Sequence, residues 1–248
     1  METAAKLAHA GNRILSFFAA VLILTLLLYG GYSLWDTAMV YQGAFVSWDL
    51  LQYKPSLEKE NNTLTLAELQ RLNADTRGWI TVDQTHIDYP VVQGKTNMDY
   101  INKDVQGDFA LSGSVFEDCR NSADFSDEYC LLYGHHMDNG AMFGDVMEFL
   151  NADYFAGHPS GILYLSGKTF QITFFACVEA DAMDSVIYNP KALPVGNIEP
   201  VLNRIRETAV QTREIGITAQ DHIIGLSTCA EAETNGRVIL FGRLEEVR

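Results

Sequence analysis

Two stretches of this chain carry residue types that can act together on a peptide carbonyl. The first is LSTCAEAETNGRVILFGRL, residues 226–244, where Cys229 closes one apolar run and Arg237 opens the next. The second is YCLLYGHHMDNGAMF, residues 129–143, where an apolar run ends at Gly134 and is followed by His135 and His136. A thiol attacks only as the thiolate. A histidine beside it can move protons, and a fixed cation can hold the oxyanion that forms on the attacked carbonyl. Cys229, His135 and Arg237 supply these three parts, each at the end of an apolar run. Ser227 lies two positions before Cys229, so on a strand the two share a face. Ser227 and Thr228 are candidate substrate-binding residues. Taken alone, the His-His pair also reads as two turn histidines, Arg237 as a surface arginine and Ser227 as a satisfied rim hydroxyl. A metal reading is weak, because adjacent strand residues point to opposite faces and no nearby Cys, Glu or His completes a ligand set.

For the three side chains to meet, strands must bring their ends together. From Trp79 onward, apolar and β-branched runs recur between Gly, Asp, Asn or Pro. They predict strands at 79–82, 86–93, 113–118, 129–135, 161–166, 168–180, 221–229 and 237–245. In the sixth, Phe170, Ile172, Phe174, Ala176 and Val178 alternate with Phe175 and Cys177. Both faces are apolar, so that strand is central. Eight strands with few helices between them predict a mainly β fold closed into a barrel, which removes exposed edges. An insertion at 181–220 interrupts the strands. Within it Asn197 is expected to cap a helix with Ile198, Val201, Leu202 and Ile205 on one stripe, placed to wall a cleft beside the Cys229 strand.

Upstream, no charged residue occurs between Arg13 and Asp36. A helix of this length spans roughly 33 Å, enough for the ~30 Å hydrocarbon core of a bilayer. Lys6 and Arg13 precede it, so the positive-inside rule predicts a cytoplasmic N-terminus and everything after Asp36 outside. The run is long for a cleaved signal peptide, and no clear cleavage site follows. Residues 1–13 thus read as a cytoplasmic N-terminus, 14–35 as a transmembrane helix, 36–75 as an extracellular helical segment and 76–248 as the barrel. Val40, Ala44, Trp48 and Leu51 predict a helix over 36–51 that Pro55 stops. Thr65 and Glu68 predict a capping box at the next helix, with Leu64 and Leu69 as its hydrophobic staple. The formal net charge of −15 argues against nucleic acid. Of the four cysteines, Cys177 reads as a buried small hydrophobe, and pairing of Cys119 with Cys130 stays open.

LSTC with arginine eight residues on and GRL beyond, together with LLYGHHM, resembles the sortases, the membrane-anchored cysteine transpeptidases of Gram-positive bacteria. GWITVDQTHIDYPVVQG, DYINKD and GSVFEDCRN resemble class B in particular, and the similarity runs from about Asp36 onward. The resemblance implies His135, Cys229 and Arg237 as the catalytic residues, with His136 a bystander. It implies cleavage of an NPxT-type C-terminal sorting signal after Thr through a thioester. The acyl group then passes to an amine acceptor, peptidoglycan or a pilin lysine. No cofactor and no metal are expected, and the chain is expected to act as a monomer. Cys119 departs from the family, which often has an aromatic residue there. A thiol hydrolase using water and a non-catalytic tethered binding domain remain as rival readings.

Overall fold

The structure is a computed structural model describing residues 2–41, 43–56, 65–229 and 235–247. It divides into two units, residues 1–42 and 43–248. The first is one helix, α1 (Glu2–Tyr41), whose stretch Ala5–Met39 is long and apolar enough to cross a membrane, with none of its most apolar window buried. It extends beyond the expected 14–35 at both ends, because nothing in its flanks breaks a helix.

The second unit begins differently from the single helix expected over 36–51. Gly43 takes φ +78°, the left-handed conformation that stops a helix and favours glycine. Ala44 is buried, and its carbonyl accepts from the Tyr89 hydroxyl at 2.9 Å. A short helix, α2 (Trp48–Leu51), follows, with Ser47 Oγ accepting from the Leu50 N–H. Trp48 therefore stays exposed instead of continuing a stripe. In α3 (Leu66–Leu72) both halves of the Thr65–Glu68 capping box form. Leu66 and Leu69 face the core, while Leu64, the other half of the expected staple, lies outside the described residues.

The strands are β1 (Thr76–Val82), β2 (Asp88–Val92), β3 (Val115–Glu117), β4 (Tyr129–Tyr133), β5 (Ser160–Leu165), β6 (Lys168–Asp181), β7 (Ala209–Thr212), β8 (Ile223–Cys229) and β9 (Gly236–Glu246). Eight of them form a closed ring in the order β5-β1-β2-β3-β4-β8-β9-β6, and β6 pairs back to β5. This is the expected eight-stranded barrel. The long strand β6 also pairs with β7, a ninth strand outside the ring. Strand β7 is short and only half-buried, too weak a pattern for the sequence reading to find. Ring pairs β2–β3 and β4–β8 are parallel and the others antiparallel. Two further helices are α4 (Ala152–Gly157) and α5 (Glu199–Thr208).

Helix α5 is the helix expected in the insertion. Val201, Leu202 and Ile205 pack on Tyr129, Leu131, Ile223, Ile239 and Phe241 of β4, β8 and β9. Each such buried side chain contributes about 1.5–3 kcal/mol. The N-cap position falls on Ile198, not Asn197. The Asn197 carboxamide still accepts the Glu199 N–H at 2.9 Å. Cys119, Cys130 and Cys177 are free thiols.

Candidate active site

Strands β4 and β8 run parallel, so their C-terminal ends lie at one rim of the barrel. Strand β9 runs antiparallel to β8, which brings its start to the same rim. There Cys229 is the register partner of Arg237. The expectation that the two face each other across a short connection therefore holds for the main chain. The Cys229 side chain lies outside the described residues.

A groove of about 490 Å³ opens at this rim. His135, Ser227, Thr228 and Arg237 all line it, together with Asn97, Met98, Ile101, Phe116, Tyr133, Gly134, Ala182 and Tyr188. His135 sits two residues beyond the end of β4. Its Nε2 lies 2.9 Å from the carbonyl oxygen of Ile101. That oxygen can only accept, so Nε2 carries a hydrogen, and Nδ1 is the ring position left to gain or lose a proton. The backbone holds His135 firmly. Its carbonyl accepts from the Phe143 N–H at 3.0 Å, and the Gly134 N–H donates to the Ser227 carbonyl at 3.2 Å. Gly134 is required here: a Cβ at this position would lie 2.7 Å from Cγ of the Phe143 ring. The expected strand 129–135 therefore ends at Tyr133, and the last two residues turn out into the groove.

His136 faces elsewhere. It lines a separate polar hollow of about 420 Å³ with His86, Asp145 and Glu148, and its Nε2 lies 3.4 Å from Asp138. Adjacent histidines thus serve two different faces. Among the described residues, no group of three or more His, Cys, Asp or Glu is placed to hold a metal ion.

Ser227 and Thr228 are each 2% exposed. Ser227 Oγ lies 3.0 Å from the Tyr188 hydroxyl. Thr228 Oγ1 is buried and has no hydrogen-bond partner among the described residues. Arg237 is half-buried, and its Nη1 donates to the Gly236 carbonyl at 2.8 Å.

The groove residues Asn97, Met98, Ile101, Tyr133 and Tyr188 were missed from sequence, as were the side chains behind them. Those include Asp118 and Arg120, which bond Asn97, Tyr133 and the Tyr188 carbonyl. The close Asp-x-Arg spacing in FEDCRN was the available signal for Asp118 and Arg120, since such a pair can close a local ion bridge.

No protein-family model matches the chain. It is 34% identical over 182 residues to sortase B of Listeria monocytogenes, covering 72% of this chain and 73% of that protein. To sortase B of Staphylococcus aureus it is 27% identical over 244 residues, 95% of this chain and 98% of that one. Among solved structures, a Streptococcus pyogenes class B sortase involved in pilus biogenesis superposes with a TM-score of 0.67 at 41% identity. That match covers 72% of this chain and 97% of that chain. These likenesses, on an eight-stranded barrel with a strand-end cysteine and arginine, define a sortase, a cysteine transpeptidase. The chain belongs to the class B sortases.

Proposed function

We propose that Cys229, His135 and Arg237 are the catalytic residues, and that the groove receives a C-terminal sorting signal of the NPxT type or a close relative. The observation that carries this reading is that His135, Arg237, Ser227 and Thr228 line one groove, at the rim where Cys229 and Arg237 are register partners. The Cys229 thiolate attacks the Thr carbonyl of the signal, and the Arg237 guanidinium steadies the oxyanion. His135, charged at Nδ1, gives its proton to the leaving amine as the carbon–nitrogen bond breaks, which leaves a thioester and a neutral imidazole. An incoming primary amine then attacks the thioester. His135 takes its proton, and the thiolate departs as the new amide forms. The hydroxyls of Ser227 and Thr228 are donors for the peptide.

The acceptor is a peptidoglycan amine. The second reading, a pilin lysine, is favoured by the pilus role of the Streptococcus pyogenes relative. The helix α1, with Lys6 and Arg13 before its apolar stretch, serves as the membrane anchor. It leaves the N-terminus cytoplasmic and the barrel, residues 76–248, outside with the helical segment that precedes it. The test is cleavage of an NPxT-type peptide with and without an added primary amine. A product carrying the amine supports transpeptidation, whereas cleavage that never yields it makes the enzyme a hydrolase.

A further inference from the structure

Asn97 and Tyr133, two residues that line the groove, meet at one side chain that the chemistry above does not use. Asp118 follows β3 and is fully buried. Its Oδ1 accepts from Arg120 Nε at 2.8 Å and from the Arg120 N–H at 2.9 Å. Its Oδ2 accepts from Arg120 Nη2 at 2.6 Å, from Asn97 Nδ2 at 3.0 Å and from the Tyr133 hydroxyl at 2.9 Å. Arg120 extends the network, since its Nη2 also donates to the Tyr188 carbonyl at 2.8 Å. Asn97 is gripped a second time, with Oδ1 accepting from the Cys119 N–H at 2.7 Å. Asn97, Tyr133 and Tyr188 all line the groove, yet they come from three separate stretches of chain. The rings of Tyr133 and Tyr188 stack with centroids 6.3 Å apart.

Burial opposes a charge on Asp118, but the hydrogen bonds from Arg120, Tyr133 and Asn97 outweigh it and hold the carboxyl below its usual range. The group is an anion throughout the neutral range. A buried carboxylate with every lone pair in use is a rigid junction. An arginine fork can grip a carboxylate with two donors and still reach a carbonyl. A lysine ammonium is a point charge and cannot hold that planar arrangement.

We propose that Asp118 and Arg120 form a positioning pair that fixes the spacing of the groove walls, and so sets the affinity for the sorting peptide, without taking part in the bond-making steps. The proposal rests on the groove being the peptide site. Loss of a wall's position weakens ground state and transition state alike, which raises KM and leaves kcat near its original value.

The sharp test is Arg120→Lys in the full-length protein in detergent micelles, assayed with an NPxT-type peptide and an amine acceptor. The expected result is a KM raised roughly tenfold or more, with kcat within about threefold of wild type. Alkylation of the Cys229 thiol by iodoacetamide, which needs no groove, should keep its wild-type rate. Asp118→Asn should act in the same direction. If that buried change prevents folding, Arg120→Lys decides alone, because the Arg120 side chain is 40% exposed and lysine keeps a positive charge beside Asp118. An unchanged KM overturns the proposal, as does a fall in kcat at constant KM, or alkylation that falls in step with turnover. Wild-type protein that turns over no such peptide refutes the functional reading itself. Wild-type turnover matched by Arg120→Lys refutes only the positioning role.

Discussion

Glu117→Gln tests the physics of the barrel most directly. Glu117, on β3, is fully buried, and neither of its carboxyl oxygens has a hydrogen-bond partner among the described residues. Burial, reinforced by nearby Asp127, pushes its pKa from 4.5 up to about 9, while Arg77 pulls the other way. The folded protein therefore holds a neutral acid at pH 7, whereas the unfolded chain ionises it. The sign follows from linkage. The stability tied to this proton is complete below about pH 4.5 and is lost progressively up to about pH 9. Each pH unit in that window costs about 1.4 kcal/mol, so the loss at pH 7 is roughly 3 kcal/mol. Glutamine has nearly the same shape and never ionises. Chemical denaturation of both proteins, followed by near-ultraviolet circular dichroism at pH 5, 6, 7 and 8, should show the gap shifting in favour of Glu117→Gln. The shift should be about 1 kcal/mol or more per unit. Stabilities that stay parallel within about 0.5 kcal/mol across the range would mean that the carboxyl is charged and partnered in the folded state, and the reasoning would fail.

Four further outcomes are expected. In peptide turnover, Cys229→Ala and His135→Ala should be inactive and Arg237→Ala slower by roughly 10²–10³-fold, while His136→Ala should stay near wild type. An active His135→Ala with an inactive His136→Ala would reverse the assignment. Gly134→Ala must displace the Phe143 ring, which a new Cβ would meet at 2.7 Å. It should cost about 1–3 kcal/mol in thermal stability and more than tenfold in kcat/KM, since His135 moves with it. Tyr89→Phe removes the hydroxyl that donates to the Ala44 carbonyl and accepts the Met142 N–H, and should cost about 1–3 kcal/mol in denaturant melts. Asp127 is partly buried, which opposes its charge, but bonds from Asn121, Lys191 and Ser122 bring its pKa down to about 2. Its contribution is present above about pH 3.8 and lost as pH falls toward 2. Asp127→Asn should therefore be about 2 kcal/mol less stable than wild type at pH 7 and nearly equal at pH 2.

The barrel was legible in the sequence because its strands are apolar, β-branched and aromatic runs bounded by turn residues. Strand β6 shows this best, with both faces buried over 174–178. The α5 stripe was legible for the parallel reason at helical period. Other features were decided by single residues whose effect depends on tertiary partners. Gly43, at φ +78°, turns the chain where Val40, Ala44 and Trp48 predicted one helix, and the Ala44 carbonyl beyond it meets the Tyr89 hydroxyl. The rim residues His135, Arg237, Ser227 and Thr228 were readable from type and position, and they line one groove. Asn97 and Tyr188 were not, because they lie in long connections outside the strands and no local pattern places them at the groove.

The bond between Gly134 and Ser227 joins residues about 90 positions apart, across a parallel strand pair. A pairing so distant in sequence must close a long loop before its contacts form, which makes it slow to form. A half-folded chain thus has its thiol and its imidazole on unconnected pieces, harmless to bystander peptides. Turnover would switch on only as the ring seals, which makes the return of peptide transfer during refolding a clock for that step of assembly.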